Sequence, residues 1–271
     1  MKRAVWLLLI CLPLALRASE CDDNNVYIVE VVQGTNRLLI AKAEHCLYAT
    51  ITLTVSLDNV VSAQHFPLTV DLNGTNSLVL ATLHQDKPQR PWHYHYKFTY
   101  KKGGRSSANS SDHVYALPYH GEKHTIAQGY FGDFSHQRGS SEEYAIDFDM
   151  PVGTPVCAAR EGIVAAIRQD SDSGGDQEKY LGCANYVIIK HDDGTYAEYF
   201  HLKKNSVAVA LGKSVAAGQQ IALSGNTGFS SEPHLHMAVY RNIDGNTRIT
   251  MPVEYRLPDG TTAALQQGKT Y

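Results

Sequence analysis

Alternating apolar and polar positions predict short β-strands over most of the chain beyond residue 22. Residues 26–29, 48–55 and 95–100 combine β-branched and aromatic side chains with period-two alternation, which is typical of strands that bury one face. An Asn-Gly pair between two of these runs indicates a tight turn. Short strands at this spacing predict a small β-sandwich of the immunoglobulin-like type over residues 21–100.

The strand pattern stops between residues 101 and 116, where Gly, Ser and Asn are frequent. Such a composition is typical of a linker. From residue 117 to 271 the strand pattern resumes, and the runs 187–191 and 196–202 flank an Asp-Asp-Gly-Thr turn, which predicts a hairpin. We therefore predict a mostly β chain in which a β-sandwich domain precedes a second, antiparallel β domain.

The first twenty residues have a different pattern. Lys2 and Arg3 precede an apolar run over residues 4–16, and the small residue Ala18 follows. These are features of a secretory signal peptide, because the apolar run is too short to span a bilayer comfortably. We predict a signal peptide over residues 1–20 and a mature protein that is periplasmic or extracellular, without stable membrane insertion. An uncleaved anchor is the alternative.

Composition and charge exclude two classes of protein. Hydrophobic residues make up 43% of the chain and charged residues 19%, so a sizeable core can be buried and a wholly disordered chain is excluded. The formal net charge is -3. Binding to nucleic acid needs a clustered basic excess, so nucleic acid is not a predicted partner.

Four of the five cysteines follow the predicted signal peptide, and an even number in an exported protein predicts disulfide bonds. Three pairings are possible. The simplest one joins neighbours in the sequence, Cys21 with Cys46 and Cys157 with Cys183. Buried free thiols are the alternative, and the spacing is not that of a zinc ribbon.

Histidines on one predicted strand supply the first candidate chemistry. In residues 233–240, His234 and His236 share one face, whereas Leu235 and Met237 point to the other. Two imidazoles on one face can serve a single site. One ring can bind a metal ion while the other contacts water or substrate.

Two further patterns place polar side chains on strands. Residues 144–150 alternate so that Asp147 and Asp149 face away from an apolar side, and either carboxylate can bind zinc. His201 ends another predicted strand, where alternation puts it on the same face as Tyr199. As a single histidine it would usually be structural.

Together, these fragments resemble the lysostaphin-type zinc metallopeptidases, also called the LytM-like or peptidoglycan endopeptidase family. The resemblance covers about residues 117–255. In chain order it is carried by Tyr-Ala-Ile-Asp-Phe at 144–148, Met-Pro-Val-Gly-Thr-Pro-Val at 150–156, Ala-Ala-Arg-Glu-Gly-Ile-Val at 158–164, Tyr-Phe-His-Leu at 199–202, Ala-Gly-Gln at 217–219, Ser-Gly-Asn-Thr-Gly at 224–228 and Pro-His-Leu-His at 233–236.

The resemblance implies a zinc-dependent endopeptidase that hydrolyses the peptide cross-links of bacterial peptidoglycan. It implies that Asp147 and His236 are zinc ligands, and that His201 and His234 are catalytic histidines acting on the water and the developing oxyanion. A zinc ion with three protein ligands keeps a position for water and lowers the pKa of that water toward about 7. The implied cofactor is one zinc ion, and the implied partners are stem or bridge peptides.

The third zinc ligand departs from the commonest family pattern, in which a histidine stands four residues before the aspartate. Glu143 occupies that position here. Relatives without this histidine can use one further upstream, and His136 lies eleven residues before Asp147. We predict His136 as the third ligand and keep Glu143 as the alternative, because the turn at residues 139–141 could bring either close.

Two other functions remain open. A non-catalytic relative could bind the cell wall or activate a separate amidase, but such relatives typically lose metal ligands or the paired histidines. A secreted protease for glycine-rich proteins is the second alternative. The first domain could position the second, block its groove or bind a partner.

Overall fold

The computed structural model describes residue 21, residues 23–107 and residues 113–271. The predicted signal peptide lies outside the described residues, and so does part of the predicted linker. The described chain consists of short, mostly antiparallel strands and one 3-10 helix, Glu178–Tyr180, which confirms the mostly β prediction. In these ranges no helix has the length and apolar character needed to cross a membrane.

The described residues before position 103 form two antiparallel sheets that share an apolar core. The strands are β1 (Val26–Gln33), β2 (Asn36–Ala43), β3 (Tyr48–Asp58), β4 (Val60–Ser62), β5 (Leu68–Asn73), β6 (Ser77–Gln85) and β7 (His93–Lys102). One sheet has the order β1-β2-β6-β4 and the other β5-β3-β7. Leu39, Ile51 and Leu83 are fully buried between them. The predicted strands are confirmed, whereas the immunoglobulin-like type stays a prediction.

The second part of the chain is built around one large sheet. The strands are β8 (Val114–Ala116), β9 (Ile126–Gln128), β10 (Ile146–Asp149), β11 (Pro155–Cys157), β12 (Gly162–Arg168), β13 (Gly174–Gly175), β14 (Tyr186–Lys190), β15 (Tyr196–Phe200), β16 (Ser214–Val215), β17 (Gln220–Leu223), β18 (Gly228–Phe229), β19 (His234–Asn242), β20 (Arg248–Thr250), β21 (Glu254–Arg256) and β22 (Thr262–Ala263). The large sheet runs β16-β12-β14-β15-β19-β10-β9, with β20 paired to β19. Strands β14 and β15 form the predicted hairpin.

The large sheet is covered on both faces, which explains its long apolar runs. Val187 and Ile189 pack into the core of the second part of the chain, whereas Tyr186 and Tyr240 pack into the core of the first two sheets. On this second face, Tyr240 and Ala238 are buried, whereas His236 lines the groove described below. The site therefore occupies the end of a face whose other end is buried.

The disulfide pairing expected from the sequence is wrong. Cys21 is bonded to Cys183, with the two Cα atoms 4.9 Å apart. Cys46 and Cys157 are buried thiols, and Cys46 donates a hydrogen bond to the carbonyl oxygen of Tyr48. Neighbours in sequence do not meet here, because the fold brings the start of the described chain against the segment that follows β13.

Candidate metal centre and active-site groove

Strands β10 and β19 place a carboxylate and an imidazole side by side. Their antiparallel register pairs Asp147 with His236, and directly opposite residues share a face. The Oδ1 atom of Asp147 lies 2.9 Å from Nδ1 of His236. Ile146 and Leu235, the neighbouring residues of opposite orientation, are fully buried, so the predicted alternation is confirmed on both strands.

The loop after β9 brings a third donor atom to this pair. His136 is fully buried, and its Nδ1 donates a hydrogen bond to the carbonyl oxygen of Gly129 at 3.2 Å. Its Nε2 lies 3.5 Å from Oδ1 of Asp147. One donor atom from each of His136, Asp147 and His236 lies within 4.8 Å of the others.

These three donors fit a metal ion. Among the described residues, the buried Nε2 of His136 has no hydrogen-bond partner, and a buried lone pair without a partner is costly. Two imidazole nitrogens and a carboxylate oxygen are donors that zinc prefers. Glu143 is turned away instead, because its carboxylate accepts a hydrogen bond from the backbone N–H of Gly139 at 3.0 Å.

Two further histidines stand beside the donor cluster. The ring centroids of His201 and His234 lie 4.5 Å apart. Nε2 of His234 is 3.9 Å from Oδ1 of Asp147. Nδ1 of His201 donates to the carbonyl oxygen of Thr227 at 2.7 Å, and Nδ1 of His234 to that of Glu232 at 2.8 Å. Because a carbonyl oxygen only accepts, Nε2 is the basic nitrogen of each ring.

The expected position of His201 on its strand is wrong. Tyr199 is fully buried in the core, whereas the ring centroid of His201 lies 4.5 Å from that of His234 and 6.0 Å from that of His236. Strand β15 ends at Phe200, and His201 has a positive φ of 63°. This left-handed conformation breaks the period-two alternation and turns the ring toward the site.

Residues 141–248 match the family model described as Peptidase family M23. This part of the chain belongs to peptidase family M23. The peptidoglycan DD-endopeptidase ShyA of Vibrio cholerae is 41% identical over 90 residues, which is 33% of this chain and 18% of that protein. The glycyl-glycine endopeptidase ALE-1 of Staphylococcus capitis is 33% identical over 130 residues, 47% of this chain and 33% of that protein. The alignments thus span a third or less of these relatives.

Among solved structures, the catalytic domain of lysostaphin from Staphylococcus simulans is similar to this chain. It is 26% identical, covering 48% of this chain and 87% of that one, with a TM-score of 0.32. A zinc-containing peptidase from Vibrio cholerae is 20% identical, covering 79% of this chain and 55% of that one, with a TM-score of 0.37.

The M23 domain also contains a buried ion network that the sequence reading missed. The guanidinium of Arg248 contacts both carboxylate oxygens of Glu198, with Nη1–Oε2 and Nη2–Oε1 distances of 2.6 and 2.8 Å, and it also pairs with Glu142. Nε2 of His236 lies 3.5 Å from Glu198 and 3.6 Å from Glu142. A charged residue in the otherwise apolar strand β15, at the alternation position of Phe200, was the available signal for Glu198.

The carboxylates around His236 in the M23 domain favour a positive charge on this ring or beside it. Burial opposes a charged ring, but hydrogen bonds with Asp147, Glu142 and Glu198 outweigh it and hold the pKa of His236 well above its ordinary value. Burial likewise opposes ionisation of Asp147, yet the imidazoles of His136 and His236 beside it hold the pKa of this carboxyl well below its usual range. The same carboxylates would also stabilise a bound metal cation.

The environment of His201 lowers the pKa of its ring, whereas that of His236 raises it. Burial, together with the nearby rings of His234 and His236, lowers the pKa of His201 to about 3. Its ring is therefore neutral near pH 7, with a free lone pair on Nε2.

A groove of about 620 Å³ opens over the donor cluster of the M23 domain. Its lining includes Phe134 from the loop that carries His136, Leu181 from the segment after the 3-10 helix, and Phe229 from β18. Phe134 is 72% exposed and Leu181 54% exposed. Apolar side chains left exposed at the rim of a polar site are typical of a binding groove.

Proposed function

We propose that this protein is an exported zinc-dependent endopeptidase that hydrolyses peptide cross-links of bacterial peptidoglycan. The observation that carries the proposal is the buried donor cluster of His136, Asp147 and His236, which lies under a groove and beside two histidines with basic Nε2 atoms. Membership of residues 141–248 in peptidase family M23 supports it.

The proposed organisation follows the sequence pattern. It consists of a signal peptide over residues 1–20, a β-sandwich over 21–100, a linker over 101–116 and the peptidase domain over 117–271. Strand β8, within the last residues of the proposed linker, pairs with β21. Export would place the enzyme in the periplasm or outside the cell, in the same compartment as the cell wall.

The proposed substrates are stem or bridge peptides. Among the relatives, the name of ShyA specifies peptidoglycan and that of ALE-1 specifies a glycyl-glycine bond. Short strands contribute to the lining of the groove, including β18 through Phe229, and β18 pairs in parallel with β13. Walls of this kind can accept an extended peptide through main-chain hydrogen bonds.

The proposed ligand set is Nε2 of His136, Oδ1 of Asp147 and Nδ1 of His236. Bound zinc supplies a Lewis acid that polarises the peptide carbonyl and makes water nucleophilic near neutral pH. The protein contributes the orientation of these donors, since Nδ1 of His136 is held by the carbonyl oxygen of Gly129 and Nε2 of His236 faces Glu198.

His201 and His234 are the proposed catalytic histidines. Hydrogen bonds from their Nδ1 atoms to Thr227 and Glu232 fix the tautomer of each ring. Between them, the two Nε2 atoms can take a proton from water, stabilise the negative charge developing on the carbonyl oxygen and return the proton to the leaving amine.

A combined zinc and hydrolysis assay tests the proposal. The purified protein should contain one zinc ion per chain and release new amino groups from purified peptidoglycan. His201→Ala and His234→Ala should keep zinc and lower kcat/KM by roughly 100-fold or more. His93→Ala is the matched control, because His93 is exposed on β7 in a different sheet. A metal-free protein that releases no amino groups would contradict the proposal.

A further inference from the structure

A buried glutamine stands directly across the sheet from Asp147. Gln128 is the last residue of β9, the register pairs it with Asp147, and it is 7% exposed. Its Nε2 donates to Oδ2 of Asp147 at 3.0 Å and to Oγ of Ser135 at 2.8 Å. Its Oε1 accepts from the backbone N–H groups of Phe134 and Ser135 at 3.1 and 3.0 Å.

The chemistry of these partners determines the orientation of the amide. Two backbone N–H groups can only donate, so they must face the oxygen of Gln128. An ionised Asp147 can only accept, so it must face the nitrogen. The side chain thus uses two donor and two acceptor positions, which is all that its planar amide readily offers.

This amide connects two segments that supply donors to the metal centre. One end holds β10 through Asp147, and the other holds the loop at Ser135, the residue before His136. Because Oδ2 of Asp147 is occupied by Gln128, Oδ1 is the oxygen that faces Nε2 of His136 and Nδ1 of His236. The arrangement presents one oxygen and two nitrogens to a common point.

The loop also leaves space for this side chain. A Cβ atom at Gly132 would lie 2.4 Å from Cγ of Gln128, well inside van der Waals contact. The glycine therefore lets the chain pass over the amide, and an alanine there would push Gln128 out of position without removing a polar group.

We propose that Gln128 is a positioning residue, which holds Asp147 and the loop carrying His136 so that their donor atoms meet at one metal ion. This inference rests on the proposed function, because it presumes that the cluster binds zinc. A purely structural amide would contribute to folding without affecting the affinity for metal or its coordination. Removal of a group that orients metal ligands typically lowers metal affinity about 10- to 100-fold.

The experiment compares three variants of the full mature chain with the wild type. Gln128→Met keeps the length of the side chain and removes its hydrogen bonds, and Gly132→Ala displaces the intact amide. Gln219→Met is the control, since Gln219 is an exposed glutamine that accepts a backbone hydrogen bond from Ala216 at 3.0 Å. The dissociation constant for Zn²⁺ is measured against a competing chelator, and the visible absorption of the Co²⁺-loaded protein reports the coordination geometry.

Gln128→Met and Gly132→Ala should weaken Zn²⁺ binding about 10- to 100-fold and change the Co²⁺ spectrum, and Gln219→Met should do neither. Folded variants with wild-type affinity and an unchanged spectrum would overturn the inference alone. If Gln128→Met does not fold, the folded Gly132→Ala protein decides. Failure of the wild type itself to bind Zn²⁺ would overturn the proposed function and this inference together.

Discussion

Removing one partner of the Arg248–Glu198 ion pair should destabilise the protein far more than removing both. Glu198 is 1% exposed, and its two oxygens contact the two terminal nitrogens of Arg248. An unpaired buried charge costs about 3–5 kcal/mol, whereas replacing a whole buried pair by neutral groups of similar volume is often close to neutral. Part of each loss is compensated, because Glu142 still pairs with Arg248 in Glu198→Gln and the imidazole of His236 still faces both carboxylates in Arg248→Met. We therefore use the lower end of the range.

We expect Glu198→Gln and Arg248→Met each to lower the free energy of unfolding by about 3 kcal/mol, and the double variant to lie within about 1 kcal/mol of the wild type. The coupling energy from this double-mutant cycle is then about 5 kcal/mol or more.

Urea unfolding of the metal-free protein, with its disulfide intact, measures these energies without a contribution from zinc. The pair Lys204 and Asp172, with an Nζ–Oδ2 distance of 2.7 Å, is the matched control because both side chains are exposed. Its coupling should be too small to measure. A coupling below about 0.5 kcal/mol at Arg248 and Glu198 would refute the reasoning, because additive effects mean that neither charge depends on the other.

Three further predictions address the ligand set, the disulfide and pH. His136→Ala should abolish stoichiometric zinc binding and Glu143→Ala should preserve it, as measured by atomic emission; the opposite result would reassign the third ligand. Cys21→Ser combined with Cys183→Ser should lower the free energy of unfolding in urea by up to roughly 5 kcal/mol, because the bond closes a loop with a sequence separation of 162 residues; wild-type stability would contradict this. Burial lowers the pKa of His191 to about 4 from 6.5, so unfolding takes up a proton and stability falls as pH decreases through this window. Between pH 7 and pH 5 the wild type should lose about 2 kcal/mol that His191→Gln does not lose, and parallel pH slopes of the two proteins would show that His191 is not responsible.

Period-two patterns predicted the parts of the site that lie inside regular strands. On β10 and β19 one face must be apolar to fill the core, so the polar positions Asp147 and His236 had to share the opposite face. The same reasoning could not place His201, because its direction depends on one left-handed backbone conformation at the end of β15.

The alternation of apolar and polar residues does not predict contacts between segments that are distant in sequence. Arg248 meets Glu198 across strands that are fifty residues apart in sequence, and no local signal pairs them. The cysteine pairing was wrong for the same reason, since spacing along the chain says little about which sulfur atoms approach in space.

The choice between His136 and Glu143 also depended on three-dimensional structure. The family resemblance favoured His136, but the intervening turn could have brought either residue toward Asp147. The loop turns His136 inward, where Gln128 holds the preceding residue, and Glu143 is bonded to the turn itself. The role of His136 as a metal ligand stays a prediction.

A crystal structure of the zinc-loaded protein, with anomalous diffraction recorded at the zinc absorption edge, tests the central claim most directly. We predict one anomalous peak in contact with Nε2 of His136, Oδ1 of Asp147 and Nδ1 of His236. A zinc-loaded crystal without a peak between these three atoms, or with the ion bound by Glu142 and Glu198 instead, would contradict the account.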